Sequence, residues 1–141
     1  MKLPASAAPT ATWCRQLGKD NVILVSIHIN AAGHGDRWLS ARGWCAYTTR
    51  GNTRADRLAT CLYDAAARHL PGMRLRTDYT DGDPDLEKNF YLLLHTASPS
   101  VLSESLFMDN ADDCAFLLSP VGQQALVDLH IKGISCFLGC Q

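Results

Sequence analysis

Residues 21–30 read NVILVSIHIN, and no other stretch of the chain limits its fold as strongly. Val22, Ile23, Leu24 and Val25 follow one another without a polar break. A strand with one wet face alternates apolar and polar residues, so a continuous apolar run predicts a strand covered on both faces. Sheets that bury such strands are layered with helices, which points to an α/β fold. Gly33 and Gly35 follow and end the run.

The remaining patterns agree with that class. WCAYTT at 44–49, between Gly43 and Gly51, predicts a second strand. Over 54–69 the period changes. Leu58, Leu62, Ala65 and His69 recur at helical spacing, and Asp64 stands four residues before Arg68. Thr53 fits an N-cap, and Pro71-Gly72 stop the helix. The acidic stretch TDYTDGDPDLEKN at 77–89 predicts a loop. FYLLLHT at 90–96 and SVLSESLF at 100–107 read as two further strands, split by Pro99 and expected in one sheet with VILVSIHI. Asn110 predicts the cap of a short helix with Asp112 and Asp113 in its first turn. Ser119-Pro120 opens a last helix whose apolar face is Leu126, Leu129, Gly133, Ile134 and Phe137. The expected architecture is a single twisted sheet, mostly parallel or mixed, flanked by helices.

Length and charge bound the function. A chain of 141 residues makes one domain. Its 13 basic and 14 acidic residues give a net charge of -1, which argues against non-specific nucleic-acid or anionic-membrane binding. No apolar run approaches the ~20 residues that cross a bilayer. The opening MKLPASAAPTATW has one Lys and no apolar stretch behind it, so it does not read as a signal peptide and is expected to be loose. Six cysteines stand at irregular spacings with no C-x-x-C pair, and read as ordinary buried or half-exposed thiols. Phosphate-binding loops, G-x-S-x-G and H-E-x-x-H are absent.

Two ionisable residues interrupt the strand patterns. His28 lies near the end of the first strand, and Glu104 lies within SVLSESLF. Ligands and catalytic groups of open α/β sheets collect at the carboxyl ends of strands. An imidazole and a carboxylate placed there suit a metal-dependent hydrolase. From the pattern alone the simpler reading is structural, with His28 a hydrogen-bonded core histidine and Glu104 a strand-end ion-pair partner. His69, His95 and His130 read as structural or surface groups.

VILVSIHINAAG at 22–33 resembles the SIH-x-NA motif of the zinc-dependent N-acetylmuramoyl-L-alanine amidases. The segment 89–134, beginning NFYLLLHTASPSVLSESLFMDN, is similar to the closing third of the same catalytic domain. GWCAYTT at 43–49 and DGDPD at 81–85 also fit the family. The resemblance runs from Cys14 to about Leu138. It implies a non-matching stretch at 1–13 and a partial amidase catalytic domain at 14–141, lacking the N-terminal part of the family domain.

The resemblance implies that His28 is a zinc ligand, that Glu104 is the catalytic glutamate, and that Asn30 shapes the substrate loop. It also implies hydrolysis of the amide between the lactyl group of N-acetylmuramic acid and L-alanine in peptidoglycan. The place of action would be the periplasm or the cell exterior. Two further family ligands, a His in D-x-G-H-G and a Glu on the first helix, have no counterpart here. Leu94 stands where the family has a basic residue. His34 and Asp36, in the loop after His28, are the candidates within the chain to complete a metal site. The alternative function is a non-catalytic peptidoglycan-binding or interaction module.

Overall fold

The computed structural model describes residues 8–140. In chain order the elements are α1 (Ala8–Leu17), β1 (Leu24–Asn30), β2 (Cys45–Thr48), α2 (Arg54–His69), β3 (Leu86–Glu87), α3 (Tyr91–Leu94), β4 (Ser100–Phe107), α4 (Ala111–Leu118) and α5 (Pro120–Leu138). The strands form one mixed sheet in the order β1-β4-β2-β3. β1 runs parallel to β4, β2 antiparallel to β4, and β3 parallel to β2. α2 and α5 cover one face. Their core with the sheet is built from Trp44, Ala46, Leu58, Leu62, Val101, Leu106, Leu129 and Phe137.

Local chemistry sets the helix ends. The Thr53 hydroxyl accepts from the Ala55 amide, and the Asp56 carboxylate accepts from the Thr53 amide, a reciprocal cap that opens α2. Ser119 Oγ accepts from the Gly122 amide at 3.0 Å, and Pro120 fills the first position of α5. Gly139 closes α5 with a φ of 71°. Gly133 is required for another reason. A Cβ there would lie 2.6 Å from Leu62 Cδ2 and 2.8 Å from Leu62 Cα, so only glycine lets α5 approach α2 so closely.

Three expectations are corrected. Residues 90–96 do not form a strand, and Tyr91–Leu94 is a short helix. Its apolar letters carry no period that separates helix from strand. Local bonds close the turn instead: the His95 amide donates to the Tyr91 carbonyl, and Thr96 Oγ1 donates to the Leu92 carbonyl at 2.7 Å. The far edge of β2 is taken by β3, from inside the segment read as loop. The opening segment is also helical from Ala8, although of α1 only Thr10 is buried. Residues 1–7 lie outside the described residues. Among the described residues no helix is long and apolar enough to cross a membrane.

Candidate functional site

β1 and β4 pair so that His28 stands directly opposite Glu104. Glu104 in turn stands opposite Cys45 of β2. Partners in register point to the same face of a sheet, so His28, Glu104 and Cys45 form a row across three strands. Val101 and Ala46, on the alternate positions, face the helix-side core. The row therefore lies on the face away from α2 and α5. His28 is exposed and its Nε2 meets Ser26 Oγ at 3.0 Å.

Glu104 is half-buried, and its Oε2 is sealed from solvent without a hydrogen-bond partner. Burial raises its pKa, against the opposing pull of His28 and Lys88. Cys45 is fully buried and its thiol is pushed up to about 11 by burial. Tyr47, two residues along β2, is pushed up to about 12, again chiefly by burial. Both remain neutral near pH 7, which leaves Glu104 as the carboxylate of the row with an unengaged oxygen. A half-buried carboxylate on the strand next to an imidazole is equipped to take a proton from water that reaches its exposed side.

The backbone changes course just beyond this row. Pairing shifts from His28 opposite Glu104 to Asn30 opposite Phe107, so β4 carries one extra residue. Leu106 absorbs it at a φ of 68°, a left-handed conformation unusual for leucine. Asn30 Oδ1 accepts from the Ala31 amide at 2.9 Å, and the Asn30 carbonyl accepts from the Met108 amide at 2.9 Å.

Sequence reasoning missed how two acids hold the following loop: Asp109 was not singled out, and Asp113 was read only as a first-turn residue of the short helix. Asp109 Oδ2 accepts from the amides of Ala32 at 2.8 Å and Gly33 at 2.7 Å, and the Asp109 carbonyl accepts from the Leu39 amide. Asp113, fully buried, accepts from the amides of Gly43 and Phe107 through Oδ2 and pairs with Arg42 through Oδ1. Their partners are backbone amides, most of them about seventy residues away, and amides leave no mark in a sequence. The signal that was available is the FMDN segment at 107–110, where Asn110 also caps α4 as expected.

His34 and Asp36 are exposed on the loop, and the structure does not bring them into one cluster with His28. His95 ends α3 with Nδ1 at 2.8 Å from the Tyr91 carbonyl. His130 is buried on α5. Among the described residues one group of three potential metal ligands converges, Asp56, Asp83 and Asp85, with donor atoms within 4.8 Å of one another. Thr48 Oγ1 donates to Asp85 Oδ2 at 2.6 Å, and burial raises the Asp85 pKa. This cluster stands by the C-terminal end of β2. Because β2 is antiparallel to β4, that end lies opposite to the carboxyl ends of β1 and β4. Asp56 is already committed to the cap of α2.

The family model described as N-acetylmuramoyl-L-alanine amidase matches residues 12–136. No curated protein matches the chain. Among solved structures, an N-acetylmuramoyl-L-alanine amidase from Clostridium difficile 630 aligns with a TM-score of 0.74 at 20% identity, over 99% of this chain and 66% of its own. The catalytic domain of CwlV from Bacillus (Paenibacillus) polymyxa var. colistinus aligns with a TM-score of 0.72 at 20% identity, over 99% of this chain and 69% of its own. The CwlD amidase from Clostridioides difficile, solved in complex with the GerS lipoprotein, aligns with a TM-score of 0.64 at 24% identity, over 83% of this chain. The present chain spans 54% of that amidase. At these identities the structures establish a shared fold, and the family model covers most of the sequence. The chain belongs to the N-acetylmuramoyl-L-alanine amidase family.

Proposed function

We propose that this chain carries the His28/Glu104 part of the active site of a peptidoglycan amidase. The bond cut is the amide between the lactyl group of N-acetylmuramic acid and L-alanine of the stem peptide. The observation that supports this reading is the registered pairing of His28 with Glu104 on adjacent parallel strands, in a chain of the amidase family. Glu104 is the general base. Its half-buried carboxylate takes the proton of the attacking water and delivers it to the leaving L-alanine amine. Its raised pKa brings the carboxylate closer to working pH, where proton transfer in both directions is efficient. Asn30 sets the start of the loop that borders the row. Peptidoglycan as substrate places the reaction in the periplasm or outside the cell.

Zinc is the metal of this proposal, and the row fits it in donor type but not in donor number. A catalytic zinc takes about three protein ligands and keeps one position open. His28 offers one nitrogen, and the carboxylate beside it is reserved as base. Among the described residues the converging group of three potential ligands lies elsewhere, at Asp56, Asp83 and Asp85. These residues alone do not close a zinc site, and two further donors must join His28.

The test is release of stem peptides with a new L-alanine amino terminus, followed by mass spectrometry alongside zinc content. The chain by itself is expected to hold less than one tightly bound zinc and to release nothing measurable. With the two further donors supplied by a longer family domain fused ahead of the chain, release is expected. In that protein Glu104→Gln should cut release by about 10²–10⁴-fold with zinc retained, and His28→Ala should lower zinc content itself. Undiminished release by Glu104→Gln sinks the assignment. The binding-module reading is not favoured, because the matched family and the similar structures are amidases.

A further inference from the structure

The amidase proposal uses none of the six cysteines, yet two of them meet across the main helix interface. Cys61 lies on α2 and is 8% exposed. Cys136 lies on α5, three residues after Gly133, and is exposed. Their Sγ atoms are 2.7 Å apart. Non-bonded heavy atoms rest at roughly 3.5–4 Å, so two separate thiols sit poorly at this spacing.

The close approach has a structural cause. Gly133 allows the α5 backbone against Leu62, and Leu62 is the neighbour of Cys61 in sequence. The helices are thus brought together at the one level where each carries a cysteine facing the other. Among the described residues no other pair of cysteine sulfurs is in contact.

We propose that Cys61 and Cys136 form an intramolecular disulfide that ties α2 to α5. The oxidant is a disulfide of the form RSSR, either low-molecular-weight or a protein dithiol carrier. The exposed Cys136 thiolate attacks RSSR, forms a mixed disulfide and releases one RS⁻. Cys61 then gives up its proton to solvent. Its thiolate attacks the Cys136 sulfur, and the second RS⁻ leaves. Two protein thiols lose two electrons in total, and RSSR becomes two RSH.

Burial pushes the Cys61 thiol up to about 12, with Cys136 beside it adding to the effect. A thiol that ionises so reluctantly is a poor leaving group when a reductant attacks the Cys136 sulfur, so the finished bond resists reduction from the solvent side. The bond would span 75 positions of sequence, which restricts the unfolded chain strongly.

The experiment uses the full chain equilibrated with oxidised and reduced glutathione, denatured, alkylated with N-ethylmaleimide and weighed intact. Four adducts are expected in place of six, together with a proteolytic fragment joining the Cys61 and Cys136 peptides. A chain denatured, fully reduced with dithiothreitol and refolded in its presence should melt roughly 5–15 °C lower. The same reductant should leave the Tm of Cys136→Ser unchanged. Cys140, one turn beyond Cys136 and exposed, is the competing partner. Cys140→Ser should keep both the cross-linked fragment and the Tm response. Six adducts, a fragment pairing Cys61 or Cys136 with any other cysteine, or a wild-type Tm indifferent to reduction would each overturn the proposal. The mass and fragment readouts need only the wild-type chain, so they decide the question even where a serine variant fails to fold.

Discussion

Successive residues of β4 meet opposite environments, and both were only half legible in the sequence. Glu104 faces the side of the sheet away from α5, where an acid among apolar letters was visible as an anomaly. Ser103 faces α5, where its Oγ lies 2.9 Å from His130 Nε2. His130 Nδ1 lies 2.7 Å from the Leu126 carbonyl, so Nδ1 carries the proton and Nε2 accepts from the serine. A helical histidine on a mostly apolar face gave no hint of that partner. Burial lowers the His130 pKa below the usual 6.5, against the smaller pull of the Leu126 carbonyl. The sign of the pH effect follows. Above pH 6.5 the ring is neutral in both folded and unfolded chains and takes nothing from stability. As pH falls below 6.5 the unfolded chain takes up the proton first, and stability drops until the folded ring also titrates. Asp85, whose pKa burial raises, acts in the opposite sense over the same range, so the His130 contribution is read as a difference. The urea midpoint of the wild type should fall relative to that of His130→Gln between pH 7.5 and about 5, and a constant difference would remove His130 as a source of pH dependence.

Elements were legible where their ends carry caps and their lengths are ordinary. The expected bounds of the helix at 54–69 and the strand at 100–107 coincide with α2 and β4. α3 was misread because four apolar or aromatic residues in a row suit either state, and what decides is whether a neighbouring strand is free to pair. Gly133 shows a different limit. In the sequence it is a poor helix former in the middle of α5; in the fold it is the contact point with α2. Gly133→Ala tests which consideration dominates. Helix propensity favours alanine by about 1 kcal/mol. Against this, the new methyl group would lie 2.8 Å from the Leu62 Cα, a backbone atom that cannot rotate away. Overpacking of that kind costs about 1–3 kcal/mol. The clash should win, and the denaturant midpoint should fall with an unchanged m-value. A stabilised Gly133→Ala would mean that the helices separate without penalty.

For the whole molecule the instructive feature is β1. Its run of apolar residues predicted a strand covered on both faces and paired within a sheet. The pairing with β4 is present, but along its other edge β1 has no partner among the described residues. Leu24 and Val25 of that run are only half-buried, and Ile27 and Ile29 beyond it are 57% and 46% exposed. The pattern therefore reports an environment that these residues do not supply by themselves, consistent with a chain spanning only 54% to 69% of the similar amidases named above. An open strand edge with apolar side chains is a template for further pairing. The chain should associate in a concentration-dependent way, seen as a rising apparent mass in sedimentation velocity from micromolar loading upward. Ile27→Lys places a charge beside that edge without touching His28 or Glu104, and should shift the population toward monomer. Because Ile27 is already more than half exposed, the same change should leave the thermal midpoint nearly unchanged. Wild type and Ile27→Lys sedimenting alike at every concentration would show that the edge is not what brings chains together.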